Sequence, residues 1–418
     1  MTSALTRRYL LSSFLCCIAA LLVNHSGNAH FSIVLIFVSA ALSTRACSFA
    51  NPIQMMWMSG HYTFCLMPSA ILYISGINTS YSATIYLSIF TCGFLAMTYS
   101  IHSQRRHPPK SGVTSGMYFL AITGAASLLY ITKGGSFLYV TPLLGLLLAS
   151  HCREGSRLSS VLLYVLFVAY ISIYVHFYWS EFGRLVLAGS LLAPLLAVLN
   201  RLNLTAMKIP LLFLTATGGL FGSLLRIEGA TPSTIIRAAL RDSAISPLVT
   251  AQELLNRLDQ NAPIRWREWG DQLILYFLGP LPRQWWPTKP YGFGFQYVVD
   301  NYETSYVIAG HSIAATFMGE HIYYLSSPLF FVGGALSLIL IVATARLAES
   351  LPMLLGSGSY LIAIYIPTFY WGGLASFSQR FLFGFTAALG LMLLTYMWSR
   401  FSRPLSSLFP VAGRHHTR

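Results

Sequence analysis

The sequence predicts an all-α polytopic membrane protein with about 12 transmembrane helices, and 11 to 13 also fit the pattern. Hydrophobic residues make up 55% of the chain and charged residues only 9%, with a mean hydropathy of +0.62. Soluble domains have roughly a quarter of their residues charged. In addition, apolar runs of a length that can cross ~30 Å of hydrocarbon as helices follow one another along the chain.

The apolar runs predict one integral membrane domain over residues 1–418. The first run follows Arg7 and Arg8 and is succeeded at once by another apolar run, so we expect an anchor rather than a cleaved signal peptide. The predicted spans lie near 8–24, 29–44, 60–76, 81–101, 114–131, 135–150, 158–178, 184–200, 207–225, 326–345, 351–371 and 380–399.

The positions of Lys and Arg predict that both termini are cytoplasmic. In this orientation 15 of the 26 basic residues fall on the inner side, mostly in short loops and tails. The other 11 fall outside, eight of them in one long loop. Short cytoplasmic loops carry an excess of basic residues, whereas long loops escape this rule. The net charge of +14 therefore reflects topology rather than nucleic-acid binding.

A long outer segment, residues 226–325, separates the spans near 207–225 and 326–345 and holds nine of the twelve acidic residues. Ser246-Pro247 reads as a cap followed by proline in a first helical turn, which predicts a short helix through Arg257. Trp266, Trp269, Leu273 and Phe277 recur at helical spacing and predict an amphipathic helix at the membrane surface. Chemistry that needs ionisable groups is expected in this segment.

Residues 279–290, called the Pro-rich segment below, follow that amphipathic helix. They contain four prolines, two tryptophans, Arg283 and Lys289. The prolines exclude a regular helix and hold the two cations nearly fixed, so little entropy is lost when an anion binds. Indole rings prefer the membrane–water boundary. The segment fits a site for a lipid-linked phosphate, and a proline-rich surface turn with incidental charges is the alternative.

Three further arginines are predicted on the same face: Arg184 begins the eighth span, Arg226 ends the ninth, and Arg380 begins the twelfth. An arginine at a span end commonly anchors the helix by snorkelling to the interface. Guanidinium groups also suit bidentate contact with phosphate. Their convergence with Arg283 and Lys289 favours a shared anion site.

Cofactors and metals are not predicted. The six cysteines lack metal-ligand spacing, and buried free thiols are the default. His311 and His321 flank Glu320, but Glu320 and His321 are adjacent and point to different sides of a helix. A zinc site from these three would need a fourth ligand.

The motif Pro282-Arg283-Gln284-Trp285-Trp286-Pro287-Thr288-Lys289-Pro290 resembles the Pro-Arg, Trp-Pro, Lys-Pro pattern of the Wzy-type O-antigen (oligosaccharide repeat-unit) polymerases. A second match is the small-residue run to Gly319-Glu320, followed by Tyr323 and Gly333, and Arg184 and Arg380 match arginines at the starts of a mid-chain and a late span. The motif-bearing part is about a third of the chain.

The resemblance implies a GT-C-like helical glycosyltransferase in the bacterial inner membrane, with its active site facing the periplasm. Its substrates would be undecaprenyl-pyrophosphate-linked oligosaccharides. It would move the growing glycan from its carrier onto a new lipid-linked repeat unit and release undecaprenyl pyrophosphate. The family also implies a chain-length regulator protein as a partner.

On this basis the pyrophosphate-binding residues are expected to be Arg184, Arg226, Arg283, Lys289 and Arg380. Arg283 would also stabilise the charge that develops on the leaving group. Glu320 is the first candidate for a general base and His311 the second. Trp285, Trp286 and Tyr291 are expected to stack on sugar rings or on lipid.

Two other functions remain open. An O-antigen ligase would transfer the finished glycan to lipid A core, also using arginines and a large outer loop. A flippase or transporter would need paired broken helices or ionisable residues near the bilayer midplane, and the inner halves of the predicted spans carry almost none.

Overall fold

The computed structural model describes residues 3–76, 80–103, 114–178, 184–224, 246–258, 263–302, 312–326, 328–351 and 357–408. Throughout these ranges the chain forms helices joined by turns, without a β-strand. The predicted all-α class is confirmed.

Ten helices precede the long segment: α1 Ser3–His25, α2 Ala29–Ala46, α3 Pro52–His61, α4 Met67–Ile74, α5 Ser82–Ser103, α6 Ser115–Ile131, α7 Phe137–Glu154, α8 Arg157–Phe177, α9 Arg184–Arg201 and α10 Lys208–Leu224. A π-helical turn, Tyr62–Leu66, joins α3 to α4, and a 3₁₀ turn, Thr205–Met207, precedes α10.

The described residues of the long segment and the C-terminal part form six further helices: α11 Ser246–Arg257, α12 Trp266–Leu278, α13 Phe293–Asn301, α14 Thr316–Leu325, α15 Leu329–Ser350 and α16 Gly358–Leu408. Helices α11 and α12 lie where the cap-proline pair and the tryptophan spacing predict them. Gly279 caps the C-terminus of α12, in agreement with the start of the Pro-rich segment, whose prolines exclude a regular helix.

In the part of the chain that is described, seven helices are long and apolar enough to cross a membrane, which indicates a multi-pass membrane protein. They are Ala4–His25, Ala29–Ala46, Ser82–Tyr99, Arg157–Phe177, Arg184–Arg201, Leu329–Ser350 and Gly358–Gly390. Two shorter apolar helices cover Ser115–Ile131 and Phe137–Arg153.

A helix covers most of each of the twelve apolar runs, although several boundaries differ from the predicted ones. The third helical stretch begins at Pro52, eight residues before the predicted start at 60, because Asn51 caps it by accepting a hydrogen bond from the Gln54 amide. The predicted gap between 371 and 380 is absent, since helix resumes after Gly373.

Helix α16 is a hairpin of two antiparallel arms, 358–372 and 374–408, joined at Gly373. The rings of Tyr365 and Phe381 lie 6.0 Å apart, and those of Phe369 and Phe377 also lie 6.0 Å apart. In one straight helix residues 365 and 381 would be separated by about 24 Å. Gly373 has φ 76° and ψ −165°, a backbone region that is essentially restricted to glycine.

The first arm of α16 forms the centre of the bundle, and every residue from 361 to 370 is buried. The hairpin packs against α3, α9, α7, α12, α14 and α15. Trp57 of α3 lies 5.3 Å from the Tyr370 ring, and Phe317 of α14 stacks on Phe369 at 5.3 Å. These aromatic contacts hold α14, and therefore Glu320, beside the hairpin turn.

We expect Gly373→Ala to lower the free energy of unfolding by about 2 kcal/mol or more. The new Cβ would overlap Oε2 of Glu320, and alanine disfavours a positive φ. Gly390→Ala, in the second arm where a Cβ meets no atom within 4 Å, is the matched control and should leave stability unchanged or slightly higher. Thermal unfolding of both variants in detergent would measure the difference, and equal melting temperatures would contradict this account of the turn.

Candidate functional site

The Pro-rich segment folds into turns that hold Arg283 from within the segment itself. Nη1 of Arg283 donates to the carbonyl of Lys289 at 2.6 Å, and Nη2 lies 3.4 Å from the carbonyl of Pro290. The guanidinium carbon lies 4.3 Å from the centre of the Tyr291 ring, a cation–π distance. Arg283 is exposed, so its guanidinium is both fixed and accessible.

Lys289 faces the backbone of the same segment. Its ammonium donates to the carbonyl of Gly279 and, at 3.0 Å, to that of Leu281. The Gly279 contact supplies a partner to a carbonyl at the C-terminal end of α12, where cations are favourable. Burial and the neighbouring charge of Arg283 lower the pKa of Lys289. In this arrangement Lys289 fixes the shape of the segment and adds positive charge beneath Arg283.

The start of the Pro-rich segment and Gly292, two residues past its end, both lie against the second arm of α16. At Gly279 a Cβ would lie 3.1 Å from Cγ of Gln379 and 3.2 Å from Oγ of Ser378. Ser378 donates to the carbonyl of Leu275, at 3.0 Å, which ties α12 to the same turn. A Cβ on Gly292 would lie 3.4 Å from Cβ of Ala375.

Gln272 of α12 holds the chain as it leaves the Pro-rich segment. Its Nε2 donates to the Tyr291 carbonyl at 3.1 Å, and its Oε1 accepts from the Phe293 amide at 3.0 Å. Gln272 is buried on the face of α12 that carries Trp269 and Tyr276. A polar residue on this otherwise apolar stripe was a signal in the sequence that could have identified it.

The three aromatic residues proposed for stacking differ in exposure. Trp285 is 79% exposed, Tyr291 is 47% exposed, and Trp286 is half-buried. The Tyr291 ring also contacts Phe295, with centroids 4.6 Å apart. Tyr291 therefore lies between an arginine and a second aromatic ring.

Of the other predicted anion-binding residues, one lies beside the Pro-rich segment, one begins α9 and one lies outside the described residues. Arg380 is exposed on the second arm of α16, directly after Gln379, and donates to the Ser376 carbonyl at 3.2 Å. Because Gln379 and Lys289 both contact Gly279, Arg380 belongs to the same region as the Pro-rich segment. Arg184 is the first residue of α9 and is half-buried. Arg226 lies outside the described residues, as does the predicted base His311.

Glu320 is completely buried against the hairpin turn of α16. Its Oε2 accepts a hydrogen bond from the Leu374 amide at 3.0 Å, at the first residue of the second arm. The other carboxyl oxygen, Oε1, is buried and has no hydrogen-bond partner among the described residues. Burial raises the pKa of Glu320 to about 8, although the Leu374 hydrogen bond acts in the opposite direction. At neutral pH the side chain is therefore mostly protonated. Through its hydrogen bond to the Leu374 amide it caps the start of the second arm.

His321 points away from Glu320, as predicted for adjacent helical residues. Its Nδ1 accepts from Nε1 of Trp269 at 3.1 Å, and its Nε2 lies 2.7 Å from Oγ of Ser337. Since the indole N–H can only donate, the ring proton is on Nε2. Burial lowers the pKa of His321 to about 3, so the ring is neutral and links α12, α14 and α15. Within the described ranges, no three His, Cys, Asp or Glu side chains are arranged to hold a metal ion.

A polar cluster that the sequence did not predict joins α12, α13 and α14. Arg265 and Asp300 form an ion pair with Nη1 and Oδ2 2.6 Å apart, and the Tyr323 hydroxyl donates to the same oxygen at 2.5 Å. Gln296 donates to Oδ1 of Asp300 at 2.8 Å. Burial opposes ionisation of Asp300, but the hydrogen bonds from Tyr323, Arg265 and Gln296 outweigh it and lower its pKa. In the sequence, the spacing of Gln296 and Asp300, one helical turn apart, could have indicated this cluster.

Comparisons with protein-family models, curated proteins and solved structures find no match to this chain. Arg283 and Arg380 are both exposed in this region, whereas the neutral carboxyl of Glu320 is buried at the start of the second arm of α16. Such a surface can bind an anion and hold it beside aromatic rings.

The buried carboxyl of Glu320 predicts a pH-dependent stability. Below its ordinary pKa of 4.5 the group is protonated in both the folded and unfolded states. As the pH rises towards about 8, the unfolded state ionises first, so folding is progressively disfavoured by at most about 1.4 kcal/mol per pH unit.

We therefore expect Glu320→Gln to flatten the loss of melting temperature between pH 5 and pH 8, since glutamine keeps an acceptor for Leu374 without ionising. Glu253→Gln, at an exposed position of α11, is the control and should retain the wild-type profile. A Glu320→Gln profile that follows the wild type would mean that Glu320 is not held as a neutral buried acid.

Proposed function

We propose that this chain is a membrane glycosyltransferase of the Wzy type, which polymerises lipid-linked oligosaccharide repeat units. The growing glycan would move from a polyprenyl diphosphate carrier, in bacteria undecaprenyl pyrophosphate, onto a new carrier-linked repeat unit. The observation that carries the proposal is the guanidinium of Arg283, which is exposed and yet fixed by backbone carbonyls and the Tyr291 ring.

Glycosyl transfer from a diphosphate places negative charge on the leaving group. The bond between the sugar C1 and the diphosphate oxygen breaks, and the acceptor hydroxyl oxygen forms the new bond to C1. A cation that is already in position stabilises this charge without reorganisation at the moment of reaction. Arg283 meets that condition because its guanidinium is held by the Lys289 and Pro290 carbonyls.

Lys289 and Arg380 would contribute in different ways. Lys289 is occupied by the carbonyls of Gly279 and Leu281, which makes it a positioning residue for Arg283. Arg380 is exposed and would contact the diphosphate from the second arm of α16. Arg184 and Arg226 remain proposed parts of the same anion site.

The proton of the acceptor hydroxyl must pass to a base or to water. Glu320 remains the proposed base, and its pKa of about 8 is close to the value that favours proton transfer near neutral pH. Its carboxyl is buried against Leu374, so it would have to release that amide before it could reach a substrate. His311 is the second proposed base.

The proposal includes the finer topology. Twelve spans in a GT-C-like arrangement, with both termini cytoplasmic and the site facing the periplasm, would place the chain in the bacterial inner membrane. Helices at the positions of all twelve apolar runs and the distribution of basic residues support this arrangement. A chain-length regulator would be a protein partner.

A transporter is the second candidate function, and one observation favours it. Glu320 is a fully buried carboxyl at a break between two helical arms, and one of its oxygens has no partner within the described part of the chain. Ionisable groups at broken helices often bind coupling ions or protons in transporters. An O-antigen ligase would use the same cationic surface as the polymerase and differ only in its acceptor.

We expect Arg283→Ala to abolish glycan polymerisation in cells, because removing one transition-state donor typically slows a reaction by about 10²- to 10³-fold. The measurement is the lipopolysaccharide banding pattern on a gel, compared with that of a strain lacking the chain. Arg267→Ala, at an exposed position of α12, is the matched control and should retain the wild-type ladder.

Core bearing a single repeat unit, in both the deletion strain and the Arg283→Ala strain, would support the polymerase. Core without any repeat would favour the ligase or the transporter, and transport of lipid-linked repeats into vesicles would then separate those two. An unaltered ladder in the deletion strain would overturn the assignment.

A further inference from the structure

Exposed and half-buried groups continue from Arg283 along helix α13. The Arg283 guanidinium lies over Tyr291, and Tyr291 contacts Phe295 with ring centroids 4.6 Å apart. Gln296 follows Phe295 and donates to Asp300 one turn later, at 2.8 Å. The nine-residue helix thus connects a cation and two aromatic rings at its start with a polar cluster at its end.

The polar cluster has hydrogen-bonding capacity left for a ligand. Asp300 accepts three hydrogen bonds, from Arg265, Tyr323 and Gln296. A carboxylate offers about four acceptor positions, so with respect to the described residues one remains on the side of Oδ1. The side chains of Arg265 and Asp300 are 37% and 23% exposed, respectively. Because its pKa is lowered, Asp300 is an ionised acceptor at neutral pH.

The order of these groups, from a cation through two aromatic rings to a polar cluster, matches the chemistry of a sugar chain attached to a diphosphate. Sugar rings present C–H faces that pack on aromatic side chains and hydroxyls that bind carboxylates, amides and guanidinium groups. The diphosphate needs a cation, which Arg283 provides at one end. A helix of nine residues is about 13 Å long, which is enough for a short oligosaccharide.

From this arrangement we propose that α13 is the glycan-binding surface of the protein. The diphosphate end of a lipid-linked oligosaccharide lies at Arg283, its first sugars pack on Tyr291 and Phe295, and later sugars bind the cluster of Gln296, Asp300 and Arg265. This inference rests on the proposed function and adds the direction in which the substrate lies.

The competing explanation is that the cluster only ties helices together. Arg265 also bonds through its amide to the Tyr324 carbonyl at 2.8 Å, and its guanidinium carbon lies 4.9 Å from the Tyr323 ring centre. A purely structural cluster would lower stability when changed and would not alter affinity for a sugar. Binding and stability must therefore be measured separately.

The test uses the full-length protein in detergent and two probes, with binding followed by tryptophan fluorescence. One probe is the saccharide released by mild acid from the cell's own lipid-linked repeats, which carries the sugars without the diphosphate. The other is inorganic pyrophosphate. Asp300→Asn and Gln296→Ala should each weaken saccharide binding about three- to tenfold and leave pyrophosphate binding unchanged, the loss expected for one hydrogen bond. Arg283→Ala should weaken pyrophosphate binding and leave saccharide binding unchanged.

Tyr276→Phe is the matched control, since it removes a buried hydroxyl that hydrogen-bonds the Leu340 carbonyl and Thr344 of α15, outside the α13 cluster. It should lower the melting temperature while keeping saccharide affinity within about twofold of the wild type. If Asp300→Asn and Gln296→Ala also keep wild-type saccharide affinity, α13 is not the glycan surface, although the polymerase can still stand. If the wild type binds neither probe, the proposed function itself fails.

Discussion

The contact between Glu320 and the turn at Gly373 is the constraint on which the rest of the site depends. Gly373 reverses the chain within one residue, and only glycine fits because Glu320 occupies the space of a Cβ. Glu320 in turn satisfies the Leu374 amide, which begins a new helix and would otherwise lack a partner in the apolar interior. Two residues that are 53 positions apart thus determine where the second arm of α16 starts.

The first turns of that arm then position the Pro-rich segment and Arg380. Ala375, Ser378 and Gln379 contact Gly292, the start of the Pro-rich segment and the end of α12. Arg380 is the next residue, so its exposed guanidinium follows directly from the position of the turn. The cations near the bundle surface are therefore fixed by a rigid helix start rather than by a free loop, which reduces the entropy lost on binding.

The ionisable groups of the site differ in how much free energy their placement costs. A buried carboxyl with one oxygen that has no partner among the described residues is unfavourable, and the protein reduces that cost by keeping it protonated. The cations of the Pro-rich segment are satisfied by backbone carbonyls, which replaces solvation without requiring an acidic partner. An anion arriving at Arg283 consequently does not have to displace a carboxylate. The ionised Asp300 is kept apart, in its own pair with Arg265.

The sequence by itself determined the helices, because an apolar run in a bilayer must satisfy its backbone internally and has almost no alternative to a helix. It also determined α11, the amphipathic α12 and the stiffness of the Pro-rich segment, since caps, periodicity and proline act locally. Only the tertiary structure decided that helix resumes directly after Gly373, that Lys289 turns inward, that Glu320 caps a helix, and that Asp300 pairs with Arg265. Most of these contacts join segments distant in the chain, and all depend on packing that local periodicity does not encode.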